Sequence, residues 1–244
     1  MLPVTPTHLA IALAMVVMAS AIQGVIGFGL AVVSAPILLL LNPIFLPGPM
    51  LIAGMLLTTL VAIRDREHAV WPEVAVGSAG RILGTLPAAL ALRLMSAEAY
   101  DLLFAIVVLL GVLISVVGWH MRLTLRNVFL TGIGSGFIST VSAVGGPPMA
   151  LVYQHEKGPR LRGTLSAIFT IGTVISVAGL WWVGRFGQAE LTLGLLLLPA
   201  VVVGFGLSRY LTGRLDEGHT RPAILALSAL AALVILFRSL YAHL

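Results

Sequence analysis

The chain has 244 residues; 59% are hydrophobic and only 9% charged, and the formal net charge is +5. Mean hydropathy is +1.08. Soluble domains average roughly 45–50% apolar and about 25% charged residues, so a water-soluble fold could not cover itself with this little polar surface. A disordered chain is excluded by the same hydrophobicity.

What remains is an all-α polytopic membrane protein built from eight apolar elements: 8–41, 46–63, 70–92, 99–119, 127–154, 163–184, 189–208 and 222–241. Met1–Gln23 has the look of a signal-peptide core, but no Lys or Arg precedes it, so it is expected to be the first structural element. Six elements have the length of one membrane crossing. Elements one and five do not: at 1.5 Å per residue they would span about 51 and 42 Å, against a hydrocarbon core of roughly 30 Å. Both are interrupted by glycine and proline. Element one carries Gln23-Gly24-Val25-Ile26-Gly27-Phe28-Gly29 and then Pro36; element five carries Gly132-Ile133-Gly134-Ser135-Gly136-Phe137 and then Gly145-Gly146-Pro147-Pro148. Proline removes a backbone donor and clashes with the preceding turn, and glycine permits shapes other residues avoid.

The same order recurs in each half. Elements one and five begin 119 residues apart, as do elements three and seven. Residues 1–120 and 121–244 therefore read as two repeats of four elements, each opened by a broken one. The cations decide how the broken elements sit. If every element crosses once, the loop cations divide almost evenly. If elements one and five are re-entrant hairpins, Arg64, Arg66, Arg122, Arg126, Lys157, Arg160, Arg162, Arg209, Arg214 and Arg221 share one side, and Arg93, Arg185 and Arg238 the other. The positive-inside rule favours the second arrangement. It makes the halves inverted repeats, places both termini outside, and brings the two glycine tips together near the midplane, the plan of many secondary transporters. The structural alternative is a pair of tilted, kinked spans.

Broken backbone at membrane depth is tolerated only where protein or water surrounds it, so the breaks are the candidate site. The first offers Gln23, Gly27, Phe28, Gly29 and Ser34. The second offers Ser135, Gly136, Ser139, Thr140, Ser142, Gly145, Gly146 and Pro147. Small hydroxyls beside open amides suit an anion; close helix packing is the competing explanation for so many small residues. Arg81 is the one ionisable residue deep in an apolar element, and a cation there should face protein or a cavity. Thr85 shares its helix face. All nine carboxylates lie at or near element ends. A mid-membrane cation without a mid-membrane acid points to an anionic ligand, since cation transporters and proton relays usually place Asp or Glu there. Ser166, Thr170, Thr173 and Ser176 form a polar stripe on element six, read as interhelical hydrogen bonds.

There is no cysteine, which excludes disulfides and thiol chemistry. No histidine pair has metal-ligand spacing, and nucleophile elbows, P-loops and dinucleotide fingerprints are missing. Neither an enzyme, a cofactor, a metal nor a nucleic-acid partner is expected. Partners are a small anion and the lipid bilayer; a coupling proton and a homo-oligomer are left open.

At its glycine motifs the chain resembles the TauE/SafE family of sulfite and organosulfonate exporters, also called TSUP. Gly24-x-x-Gly27-Phe28-Gly29 followed by Pro36 resembles the motif of the first half. Gly136-Phe137-x-Ser139 followed by Gly145-Gly146-Pro147 resembles that of the second, and Arg160-x-Arg162-Gly163-Thr164 fits the segment that follows. The resemblance implies an inner-membrane permease that moves sulfite, thiosulfate or C2–C3 sulfonates outward. Alternatives on the same scaffold are an anion channel and a carrier of another small anion. Arg81 is not part of the resemblance and rests on its position alone.

Overall fold

A computed structural model describes residues 4–96 and 121–211 and, between them, residues 99–100, 102–104, 106–107, 109–110 and 113. Apolar element eight lies outside the described residues, and element four only partly within them. The remainder is helical, with no strand among the described residues. Five stretches are long and apolar enough to cross a membrane: Pro6–Ile26, Pro43–Arg64, Trp71–Leu94, Gly158–Trp182 and Gln188–Leu211.

Element one breaks at Gly27–Gly29 and element five at Ala143–Gly145, whereas the Gly132–Gly136 run expected to interrupt element five lies within one continuous helix. Helix α1 (Pro6–Ile26) starts at Thr5, whose side chain accepts from the His8 N–H at 3.2 Å. It stops at Gly27, where φ is 101° and the N–H donates to the Gln23 carbonyl at 2.7 Å. Gly29, at φ 137°, precedes α2 (Leu30–Leu41). Side chains rarely adopt either conformation, so the break requires these glycines. A short 3₁₀ turn leads to α3 (Gly48–Arg64), and α4 (Trp71–Leu94) follows. Helix α5 (Leu125–Ser142) ends at Ala143, a left-handed cap at φ 63°, and α6 (Gly146–Val152) begins three residues on. Helices α7 (Gly158–Trp182) and α8 (Gln188–Leu211) complete the described chain.

The contacts fix the directions. Gly24 faces Ser208 and Gly204 faces Val17 and Ser20, so α1 runs parallel to α8. Arg64 donates to the Gly24 carbonyl at 3.0 Å, so α1 and α3 end together. Helix α2 then turns back: the Ser34 hydroxyl lies 3.9 Å from Met50 Sδ in the first turn of α3. Element one thus enters and leaves at the same end of the molecule. Element five does the same at the other end. Gly77 at the start of α4 faces Val128 at the start of α5. Helix α6 returns toward that end, with Met149 Sδ 3.6 Å from the Thr131 hydroxyl and the Tyr153 hydroxyl donating to Glu73 Oε2 at 2.7 Å.

Charge is distributed accordingly. At the Arg64 end Asp65 pairs with Arg64 at 3.0 Å and with Arg162 at 2.9 Å, and Glu73 pairs with Arg160 at 3.2 Å. At the opposite end Arg185 donates to the Leu92 and Met95 carbonyls at 2.9 and 2.5 Å. Helices α4 and α5 approach each other closely. A Cβ on Gly80 or Gly84 would overlap the carbonyl oxygens of Phe129 and Ile133, and one on Gly136 would overlap the Arg81 backbone. Small residues at such contacts let backbones approach where the solvent offers no hydrophobic drive. Ile82, Leu83, Leu86 and Leu90 of α4 and Leu195, Val202 and Val203 of α8 are exposed, the outer face expected of a protein in lipid.

The chain contains no cysteine, so single reporters carry no background. Arg122→Cys and Lys157→Cys should react with a membrane-impermeant thiol reagent from one side of the membrane, and Gln188→Cys from the other. Labelling of Arg122→Cys and Lys157→Cys from opposite faces would contradict the returning course of element five.

Candidate functional site at the two helix breaks

The two breaks meet around a cavity of about 50 Å³, room for a group the size of a few waters. The first break contributes Gln23, Phe28 and Gly29, and the second Ala143, Val144, Gly145 and Gly146. Arg81 comes from α4, Ser139 from α5, Phe169 and Thr173 from α7, and Met50, Leu51, Gly54 and Thr58 from α3.

Arg81 is the charged wall, 1% exposed. Its Nη1 donates to Ser135 Oγ at 2.5 Å and its Nη2 to Ser139 Oγ at 3.1 Å. The guanidinium carbon sits 5.3 Å from the centroid of the Phe169 ring, within the range of a cation–π attraction. Its Nε has no acceptor among the described residues, and none of their carboxylates pairs with the guanidinium. Gly172 creates the berth: a Cβ there would overlap Arg81 Nε. Ser135 passes the contact on, its hydroxyl donating to the Gly145 carbonyl at 2.7 Å, so the guanidinium is tied to the second break.

The first break is pinned differently. Gln23 Oε1 accepts from the Leu30 N–H at 2.7 Å and so takes up the first amide of α2. Helix α6, by contrast, begins Gly146-Pro147-Pro148, and neither proline has an N–H to offer. Each break thus withholds some of the amides a helix N-terminus ordinarily leaves open, and Arg81, Gln23, Thr58, Ser139 and Thr173 add side-chain donors to the lining.

Of the residues singled out in the sequence, Gln23, Phe28, Gly29, Arg81, Ser139, Gly145 and Gly146 line the cavity. Ser135 stands behind it on the guanidinium. Gly136 lies in the α4–α5 contact, and Gly27 lies against Arg162. Ser34 donates to the Leu30 carbonyl at 2.5 Å and Ser142 to the Ile138 carbonyl at 2.8 Å, each bonding back to its own helix. Pro147 opens α6 without lining the cavity. Phe169, Gly172, Thr173 and Met50 were not singled out as site residues. Thr173 belonged to the polar stripe on element six, whose period was the available signal for that face of α7.

Toward the Arg64 end, Phe28 separates the cavity from a vestibule of about 300 Å³, also lined by Tyr153, Gln154, Lys157 and Arg162. Burial pushes the Tyr153 hydroxyl above the usual phenol range, reinforced by its hydrogen bond to Glu73; it stays a donor there. Beyond Arg81 toward the opposite end, Thr140 hydrogen-bonds Ser176 at 2.9 Å and Thr85 at 3.2 Å. No group of His, Cys, Asp or Glu among the described residues is placed to hold a metal.

A family model described as Sulfite exporter TauE/SafE matches residues 11–235. Neither a curated protein nor a solved structure gives a significant match.

The hydrogen bonds separate two buried serines by what they support. Ser135→Ala leaves Arg81 Nη1 buried without its acceptor and should cost about 1–3 kcal/mol of stability. Ser34→Ala removes a bond within one helix and should cost no more than about 1 kcal/mol. Thermal unfolding of the two variants in detergent checks the order; equal midpoints would mean that Ser135 does not support the guanidinium.

Proposed function

The chain belongs to the TauE/SafE sulfite exporter family, and on that premise we propose that it is a secondary transporter carrying small sulfur oxyanions outward across the inner membrane. One observation supports this above the others: a buried guanidinium with no carboxylate partner among the described residues lines a cavity between two broken helices. A cation held at membrane depth needs a compensating partner, and an oxyanion supplies one through charge-assisted hydrogen bonds to the guanidinium fork. Ser139 would share the anion, Gln23 and the Gly145–Gly146 backbone would shape the space around it, and Ser135 would hold the guanidinium in register.

The halves, 1–120 and 121–244, are proposed to be inverted repeats that rock about this site in alternating access. The two returning hairpins, one from each end, support that plan. The arginine-rich Arg64 end is taken as cytoplasmic by the positive-inside rule, which puts both termini in the periplasm and makes the Phe28 vestibule the cytoplasmic mouth. A proton or the membrane potential would drive export.

Flux of sulfite in proteoliposomes tests the reading. The wild-type chain should show saturable flux with counterflow. Arg81→Ala should lower it at least about thirtyfold, the scale of losing one partner of a buried charged contact. Arg81→Lys, which keeps the charge without the fork, should retain part. Wild-type flux in Arg81→Ala would remove Arg81 from the substrate's path.

A further inference from the structure

We propose that Gln23 holds the anion directly, as a hydrogen-bond donor whose polarity is fixed by the Leu30 amide. The proposal rests on the transport reading above and deepens it: the first break then supplies a ligand contact as well as a boundary to the space.

A carboxamide has two ends, an oxygen that only accepts and a nitrogen that donates two N–H groups. A backbone N–H only donates, so the end of Gln23 that meets the Leu30 N–H, at 2.7 Å, is the oxygen. The nitrogen, Nε2, has no acceptor among the described residues. Gln23 is buried, 6% exposed, and lines the same cavity as Arg81. The end of the carboxamide that Leu30 leaves unengaged is therefore an NH2 group at the cavity.

Capping α2 accounts for only half of this side chain. The Leu30 N–H needs an acceptor, and a hydroxyl would serve, as that of Thr5 does at the start of α1. Gln23 brings two further N–H groups, and a buried donor without an acceptor is costly. An anion in the cavity removes that cost. Ser139 is arranged in the same way. Its Oγ accepts from Arg81 Nη2 at 3.1 Å, which leaves its O–H to donate, and it too lines the cavity. Ser135 differs, because its proton is already given to the Gly145 carbonyl. Gln23 of α1 and Ser139 of α5 thus each have their acceptor taken by a protein N–H and their donor left over. The oxygens of a deprotonated oxyanion, which only accept, complement both, and such an ion joins the first break to α5.

The full chain in proteoliposomes tests this role, with sulfite as the probe and two variants. Gln23→Met keeps the length of the side chain and removes the carboxamide. Gln23→Glu keeps an oxygen for the Leu30 N–H and turns the donor end into a carboxylate oxygen. Gln23→Met should raise the sulfite KM at least about tenfold, the scale of one hydrogen bond to a charged partner. Gln23→Glu should raise it at least about a hundredfold, because a like charge stands where the donor was. It should nevertheless unfold no earlier than wild type in detergent without sulfite, since the Leu30 bond persists. A role confined to capping α2 predicts instead that Gln23→Met unfolds earlier and keeps the wild-type KM. Wild-type KM in a folded Gln23→Met, or in Gln23→Glu where the methionine variant does not fold, would overturn the role of Gln23 and leave transport standing. No saturable sulfite flux in the wild-type chain would overturn the transport reading and this inference with it.

Discussion

A guanidinium placed in the middle of a membrane bundle sets the terms for everything around it. Arg81 cannot lose its proton and cannot reach water from the centre of α4, so the surrounding helices must accept its hydrogen bonds and make room for it. They do so with small residues. Gly136 lets α5 come against the Arg81 backbone, and Gly172 clears the space its Nε occupies on α7. Ser135 and Ser139, one helical turn apart, receive the two terminal nitrogens. Phe169 covers one face of the plane. What these partners do not supply is negative charge. Hydroxyls take the two terminal nitrogens, Nε has no acceptor among the described residues, and no carboxylate among them offsets the charge beside the cavity.

The broken helices explain how such a cavity can exist at that depth. Two hairpins enter from opposite ends, and their tips bound the same space, so irregular backbone is surrounded by protein rather than lipid. The tips are alike in position and different in chemistry. The first turns through Gly27 and Gly29 and spends a glutamine on the amide that follows. The second turns through Ala143 and restarts with two prolines. Both solutions occupy or remove amides at the start of the following helix.

Much of this was legible in the sequence because it is written in length, period and charge. Elements of 34 and 28 residues were too long for one crossing, and the glycines at 27, 29 and 145 marked where they break. The division of arginines between loops indicated the hairpins, and the contacts of Arg64 with Gly24 and of Tyr153 with Glu73 follow that course. Arg81 was conspicuous as the one ionisable residue deep in an apolar element. The unread part depends on which way side chains turn. Ser34 and Ser142 resemble Ser135 and Ser139 in type and neighbourhood, yet the first two bond back to their own helices. Gly172 serves by lacking a side chain, and Phe169 by lying beneath a cation from another helix; neither carries a local signal. Met50 is an ordinary apolar residue until α2 folds back against it.

The central claim is that Arg81 receives the anion, and ligand-induced stabilisation measures it most directly. A ligand that binds only the folded state raises the unfolding midpoint with its concentration. Sulfite titrated in detergent into the wild-type protein and into Arg81→Gln, a variant that keeps hydrogen-bonding capacity and removes the charge, should raise the midpoint of the first progressively and leave that of the second unchanged. Equal stabilisation of both proteins would place the anion elsewhere and contradict the account.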